Sequence, residues 1–170
     1  YLLKEEMSNN DLINLLRSGN QAPIKLSFNN QDTLEKLAGR VAQQLETDSI
    51  SLLNSFTDST FLSKNNLTEA SVLQIFIPNS YEFYWNTSPK KFRDKMLKEY
   101  NLFWNYSRLK KAEALNLSKS EIITLASIVQ KETAKIIERP IVAGLYLNRL
   151  KKGWPLQADP TIIYCIKKKN

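Results

Sequence analysis

Histidine is absent from all 170 residues. That excludes Ser-His-Asp and Cys-His nucleophilic systems, His-ligated zinc and a His general base, so any acid or base must be Asp, Glu, Lys, Tyr or Cys. Cysteine occurs once, at Cys165, which rules out an intrachain disulfide and is compatible with either a reducing or an oxidising compartment. Within the apolar run Thr161 to Ile166 it reads as a small buried hydrophobe. No stretch approaches about eighteen uninterrupted apolar residues, the length of a membrane helix. The opening residues Tyr1-Leu2-Leu3-Lys4-Glu5-Glu6 lack the basic and apolar regions of a signal peptide. The chain opens on what reads as mid-strand and ends on Lys167-Lys168-Lys169-Asn170, so it is expected to be a piece of a longer protein. Internal repeats and low-complexity tracts are also missing.

What is present is an ordinary globular composition, 42% hydrophobic and 24% charged, long enough for one good core or two small ones. Lys and Arg outnumber Asp and Glu by 24 to 17, a net charge of +7, which favours polyanionic partners: nucleic acid, an anionic membrane surface or an acidic glycan. The basic residues are spread over several elements and no DNA- or RNA-binding motif accompanies them, so no nucleic-acid partner is expected.

The pattern predicts an α+β fold. Ser8 to Asp11 cap a helix over about 9–18 that Gly19 ends. Ile24, Leu26 and Phe28 alternate with Lys25 and Ser27 as in a half-buried strand. Leu34, Leu37, Ala38, Val41 and Leu45 recur at helical spacing over about 32–46. Residues 47–71 are richer in Ser, Thr, Asn and Asp, with short helical pieces around 51–56 and 60–64, and the domain transition is placed in this region. Val72 to Ile77 reads as a strand ended by Pro78, followed by an aromatic cluster of Tyr81, Phe83, Tyr84 and Trp85 that forms core or lines a cleft. Ser88-Pro89 starts a helix running to about 105, crowded with lysines.

Ser118 to Glu121 is a capping box that starts a helix over about 119–135. Glu132 follows Val129 by three, Ile128 by four and Leu125 by seven, which sets a carboxyl at the edge of the apolar stripe. Desolvation there would favour the protonated form and suit a general acid, whereas Lys131, Lys135 or Arg139 could pair with it and keep it ionised in a purely structural role. Glu138-Arg139-Pro140 opens a further helix with Ile141, Val142, Leu145, Leu147 and Leu150 as apolar positions, Ala143 and Gly144 permitting close helix approach, and Gly153 as its end. The loop Trp154 to Thr161 then offers polar groups and one indole. There Asn148, Gln157 and Asp159 could contact a sugar or serve as caps and packing, and Asp159 before Pro160 has the form of an N-cap.

Three blocks carry a resemblance: Leu125-Ala-Ser-Ile-Val-Gln-Lys-Glu-Thr133, Glu138-Arg-Pro-Ile-Val-Ala-Gly-Leu-Tyr-Leu-Asn-Arg-Leu150 and Pro155-Leu-Gln-Ala-Asp-Pro-Thr-Ile-Ile-Tyr164. In this order and spacing they resemble the signature of the MltG/YceG-like endolytic murein transglycosylases. Pro78-Asn79-Ser80-Tyr81 is similar to the family's Pro-Asp-Thr-Tyr segment, with Asn79 in place of the usual Asp, and Gln130 stands where a Glu is common. The resemblance implies a LysM-like α+β subdomain at 1–50, a connecting segment at 51–71 and a mainly helical YceG-like catalytic domain at 72–170, incomplete at its C-terminus.

It further implies that Glu132, in the Lys-Glu-Thr triplet, is the catalytic residue, and that Asn148, Gln157, Asp159, Thr161 and Tyr164 face the substrate. The implied reaction is endolytic cleavage of the bond between N-acetylmuramic acid and N-acetylglucosamine in peptidoglycan, closing a 1,6-anhydro ring. One carboxylate acts as acid and then base, so the second carboxylate of an ordinary glycosidase is not needed, and neither a metal nor another cofactor is expected. Peptidoglycan strands and cell-wall synthesis proteins are the implied partners. The implied location is the bacterial cell envelope, as the extracytoplasmic (periplasmic) part of a single-pass inner-membrane protein anchored by a segment absent from this sequence. The alternative is a peptidoglycan-binding fragment without catalysis.

Overall fold

The computed structural model describes residues 1–169, with side chains as far as Ile166; Asn170 and the side chains of the terminal lysine run lie outside the described residues. The fold is α+β and mainly helical, with one small antiparallel sheet, and it divides into two compact units, Tyr1–Phe103 and Trp104–Asn170. Among the described residues no helix is long and apolar enough to cross a membrane.

In the first unit, α1 (Asn9–Ser18) starts at a capping box between Ser8 and Asp11 and stops at Gly19, whose φ of 68° suits a residue without Cβ. β1 (Ile24–Phe28) buries Leu26 and Phe28 and pairs in antiparallel register with β2 (Asn79–Phe83), Ile24 opposite Phe83 and Phe28 opposite Asn79. On its other edge the Gln44 amide acts as a surrogate strand: it accepts from the Ser27 N–H at 2.9 Å and donates to the Ser27 carbonyl at 3.0 Å. Three helices lie between the strands in sequence, α2 (Leu34–Ala42), α3 (Ser49–Phe56) and α4 (Ser59–Lys64), N-capped by Thr33, Asp48 and Asp58.

The expected strand at 72–77 is not formed. Val72–Ile75 is a 3-10 turn, and the strand lies a few residues on, at β2. Val72 and Ile75 are both buried at a spacing of three, so the apolar run packs as one helical turn and has no need of a ladder partner. The period-two alternation belongs to Tyr81 and Phe83, whereas Tyr84 and Trp85 are exposed.

α5 (Pro89–Phe103) buries Phe92 and Met96 in a core with Leu26, Leu37, Val41, Leu52 and Phe56. Phe92 stands 5.0 Å from Phe83 and 6.0 Å from Phe56, within the range of favourable ring pairs. The same helix buries Arg93, whose guanidinium bonds Asp94 and donates to the Ser55 carbonyl at 2.9 Å while covering the Phe61 ring at 3.9 Å. Because the β1–β2 ladder spans the 51–71 segment, that segment is internal to the first unit, and the unit boundary falls at Phe103/Trp104.

The second unit is helical: α6 (Tyr106–Ala114), α7 (Lys119–Glu132), a 3-10 turn at Ile136–Glu138, α8 (Arg139–Lys151) and α9 (Asp159–Lys169). α6, capped by Asn105, is an element the sequence pattern did not announce, since only Ala112 in it is buried. The Ser118–Glu121 capping box is formed as expected. Leu125 and Val129 of α7, Tyr146 of α8 and Ala158 of the last loop make the core, flanked by Leu117, Ile128, Val142, Ala143, Leu147 and Leu156.

Three packing expectations are corrected. Ile141, Leu145 and Leu150 are exposed, since the stripe that α8 turns inward runs through Val142 and Tyr146. A Cβ at Gly144 would meet no atom within 4 Å, so that glycine does not mark a close helix approach. Cys165 is exposed rather than buried, as are its neighbours Ile162, Ile163 and Ile166 on α9.

Candidate active site

Glu132 is the last residue of α7, three positions short of the expected helix end. Thr133 leaves the helix in extended geometry, φ −140° and ψ 135°. Its hydroxyl donates to Glu138 at 2.6 Å and accepts the Lys135 N–H at 3.1 Å. Lys135 adds an ion pair to Glu138 at 3.1 Å. The Glu138 carboxyl is therefore held below its ordinary value, first by the Thr133 hydroxyl and then by Lys135. These bonds fix the bend that follows Glu132.

Glu132 is exposed in the free chain, not half-buried as its place on the stripe suggested. The reason is the early helix end: no further turn of α7 covers it, and Ile136 and Ile137 beyond the bend are themselves exposed. The expected cation Lys135 is engaged with Glu138.

What stands beside Glu132 is Tyr146, 2% exposed and part of the core. The Glu132 carboxylate is close enough to act on its phenol. Burial, then the hydrogen bonding and the charge of Glu132, push the tyrosine above its ordinary range, with Arg149 opposing and Asp159 adding to the shift. Tyr146 thus feels the charges of Glu132, Arg149 and Asp159. The sequence reading missed it because a tyrosine amid exposed apolar residues does not announce a core position. The signal was the stripe Arg139, Val142, Tyr146 and Arg149, spaced three, four and three. On that stripe the Arg139 Nε is buried without a hydrogen-bond partner, a donor of the kind that a bound acceptor satisfies.

The other sequence-predicted residues divide. Asp159 is the first residue of α9, within the electrostatic reach of Tyr146, and so sits one place inside the helix it was expected to cap. Gln157 is exposed and held at φ 50°, a left-handed conformation that costs a residue with Cβ roughly 1 kcal/mol. Thr161 spends its hydroxyl on the Ala158 carbonyl at 2.6 Å. Tyr164 is 62% exposed on α9. Asn148 is exposed and stands two residues from Tyr146, on the opposite side of α8. Glu132 and Asp159 both act electrostatically on Tyr146, whereas Asn148 lies on the other side of α8.

In the first unit an open groove of about 680 Å³ is lined by Ser27, Phe28, Asn29, Arg40, Pro78, Asn79 and Ser80. Charge is divided unevenly: the second unit holds 13 Lys and Arg against 5 Asp and Glu, net +8, and the first 11 against 12, net −1.

The profile of the YceG-like family matches residues 1–170, the whole chain. The chain belongs to the YceG-like family. Two relatives are named endolytic murein transglycosylase. That of Streptococcus pneumoniae strain R6 is 30% identical over 96% of this chain and 34% of its own length. That of Bacillus subtilis is 25% identical over 99% of this chain and 51% of its own. This YceG-like chain thus spans between a third and about half of those curated relatives. The crystal structure of a YceG-like protein from Listeria monocytogenes shares its fold, with a TM-score of 0.67 and 23% identity over 98% of this chain and 60% of that one.

Proposed function

We propose that this YceG-like chain carries the reaction centre of an endolytic murein transglycosylase, with Glu132 as acid and then base. The observation that supports it most is the pairing of Glu132 with the buried Tyr146 hydroxyl, in the two blocks that resemble the family's signature.

In this reading Glu132 gives its proton to the glycosidic oxygen between N-acetylmuramic acid and N-acetylglucosamine, and the C1–O bond breaks. The resulting carboxylate takes the proton of the muramic C6 hydroxyl as that oxygen bonds to C1. The proton count closes and no water is consumed. Because Glu132 is exposed in the free chain, its desolvation comes from the glycan strand laid over it, which disfavours the charged form at the moment an acid is needed. The Tyr146 phenol beside the carboxyl orients Glu132 for both steps. Asp159 and the Gln157 loop border the leaving sugar. Thr161, Tyr164 and Asn148 contact the strand further out.

The LysM-like role of residues 1–50 extends in this reading to the groove at Arg40 and Asn79, as a glycan-holding surface. The same reading places the protein in the bacterial cell envelope, outside the cytoplasm and anchored to the inner membrane, among cell-wall synthesis proteins.

Digestion of purified murein sacculi, read by mass spectrometry, tests the reading. The expected result is soluble muropeptides with 1,6-anhydro ends, one water lighter than hydrolysed ends, and their loss in Glu132→Gln. A Glu132→Gln variant producing anhydro ends at the wild-type rate would remove Glu132. A folded chain that sediments with sacculi and releases nothing would favour the binding-only alternative, which the partial coverage of the relatives keeps in view.

A further inference from the structure

The loop between α8 and α9 exposes one large aromatic on a backbone turn held by hydrogen bonds. α8 ends in a left-handed turn at Gly153, φ 65°. The Gly153 N–H returns to the Leu150 carbonyl at 3.1 Å and the Trp154 N–H to the Arg149 carbonyl at 2.9 Å, the paired bonds of a Schellman stop. The residue in the place of Trp154 ordinarily packs its apolar side chain back on the position of Arg149. Here the Arg149 guanidinium is turned to the Leu156 carbonyl instead, and the indole is left 59% exposed.

Backbone bonds and the following Pro155 restrict Trp154. Beyond it Leu156 and Ala158 anchor the loop in the core. An exposed indole on a turn whose backbone is already ordered is a platform whose backbone conformational cost has been met before any ligand arrives.

Its electrostatic setting narrows the ligand. The Lys152 ammonium lies over one face of the indole, 4.7 Å from the ring centre, and the sugar would take the other face; Lys151 adjoins it, and the unit carries net +8. The platform is also tied to the proposed reaction centre, since Arg149 holds both ends of the turn and acts on Tyr146, which reaches Glu132.

We propose that Trp154 and Lys152 form a subsite for an amino-sugar residue that carries a carboxylate substituent. The apolar C–H face of the pyranose stacks on the indole, and Lys152 pairs with the acid. This deepens the proposed function and rests on it, since a strand with alternating neutral and acid-bearing sugars is the ligand that such a pair of groups discriminates. A neutral chito-oligosaccharide offers the sugar face alone.

Binding is read by fluorescence titration and calorimetry on the full chain in the Glu132→Gln background, so that turnover does not intrude. The probes are a soluble muropeptide oligomer and chitotetraose. Trp154→Ala is expected to weaken the muropeptide about tenfold and Trp154→Phe about threefold or less, the ring surviving in part. Lys152→Gln is expected to weaken the muropeptide about threefold and leave chitotetraose unchanged. In the active chain Trp154→Ala should raise KM with kcat nearly constant.

Muropeptide binding undiminished in Trp154→Ala overturns the platform, and equal losses for both probes in Lys152→Gln overturn the acid preference; in either case anhydro products from the wild-type chain leave the proposed function standing. A wild-type chain that binds neither probe and releases nothing from sacculi overturns both.

Discussion

The Tyr146 hydroxyl, buried among Leu125, Val129 and Ala158, faces the solvent-exposed Glu132 carboxylate at the end of the neighbouring helix. One partner belongs to the core and the other to the surface, so the position of the reactive group is referred to the most rigid part of the unit. A tyrosine donor beside such a carboxylate restricts its rotamers.

Removing the donor tests this. Tyr146→Phe keeps the ring and its packing, and kcat on sacculi is expected to fall about tenfold as Glu132 loses its orientation. A wild-type kcat in Tyr146→Phe would count against the positioning role.

The same substitution has a stability signature in alkali. Tyr146 titrates above its ordinary value of about 10 in the folded chain, chiefly through burial and then through Glu132. Its favourable contribution is complete below about pH 10 and is lost as pH rises through the folded value, because the unfolded chain then releases the proton first. Urea midpoints between pH 8 and 11 should fall more steeply for the wild type than for Tyr146→Phe.

Thr133→Val removes the hydroxyl that holds the bend after Glu132. Glu138 is depressed first by that hydroxyl and then by Lys135, so its contribution is present above about pH 4.5, the ordinary carboxyl range, and lost as pH falls through the folded value. Side-chain carboxyl titration by NMR should show Glu138 moving back toward that range in Thr133→Val and staying depressed in Thr133→Ser. Anhydro-product formation should fall in the valine variant and survive in the serine one.

Gly153→Ala forces a Cβ into a left-handed backbone, and the expected cost is about 1 kcal/mol in chemical denaturation. Space is not the obstacle, since a Cβ there meets nothing within 4 Å. A loss well below that figure would show that the turn can relax to another conformation.

Arg93→Ala tests the first unit alone. The variant loses the bond to the Ser55 carbonyl and the stacking over Phe61, and leaves Asp58 and Asp94 half-exposed without their cation. Solvent screening of those carboxylates limits the penalty, so a loss of about 2 kcal/mol is expected. Arg93→Lys should recover only part of it, because an ammonium cannot reproduce the guanidinium fork.

Much of the local structure was legible before any coordinates. Ser8 with Asp11, Ser118 with Glu121, and Gly19 and Gly153 at helix ends are short-range signals, each settled by hydrogen bonds within a few residues. The reading failed where the deciding contact is distant in sequence. Val72–Ile75 looked like a strand because apolar runs of that length suit strand or helix alike, and only the register of β1 with residues 79–83 shows that the ladder lies elsewhere.

The candidate site shows the same division. Glu132 was identifiable from its spacing on the stripe and from the Lys-Glu-Thr triplet, whereas its exposure was not, because the length of the last turn of α7 depends on a Thr133 hydroxyl engaged with Glu138 across the bend. Tyr146 was invisible as a partner, since nothing in a linear pattern says which side of α8 meets α7.

The sequence by itself determined the helix caps and stops, the absence of histidine chemistry, and the carboxylate on which the proposed reaction turns, because these depend on residue identity and on neighbours within one or two turns. Tertiary packing alone decided that a buried phenol meets that carboxylate, that Asn148 faces away from it, and that Trp154 is held in the open, because each requires two segments to be brought to a particular face of one another.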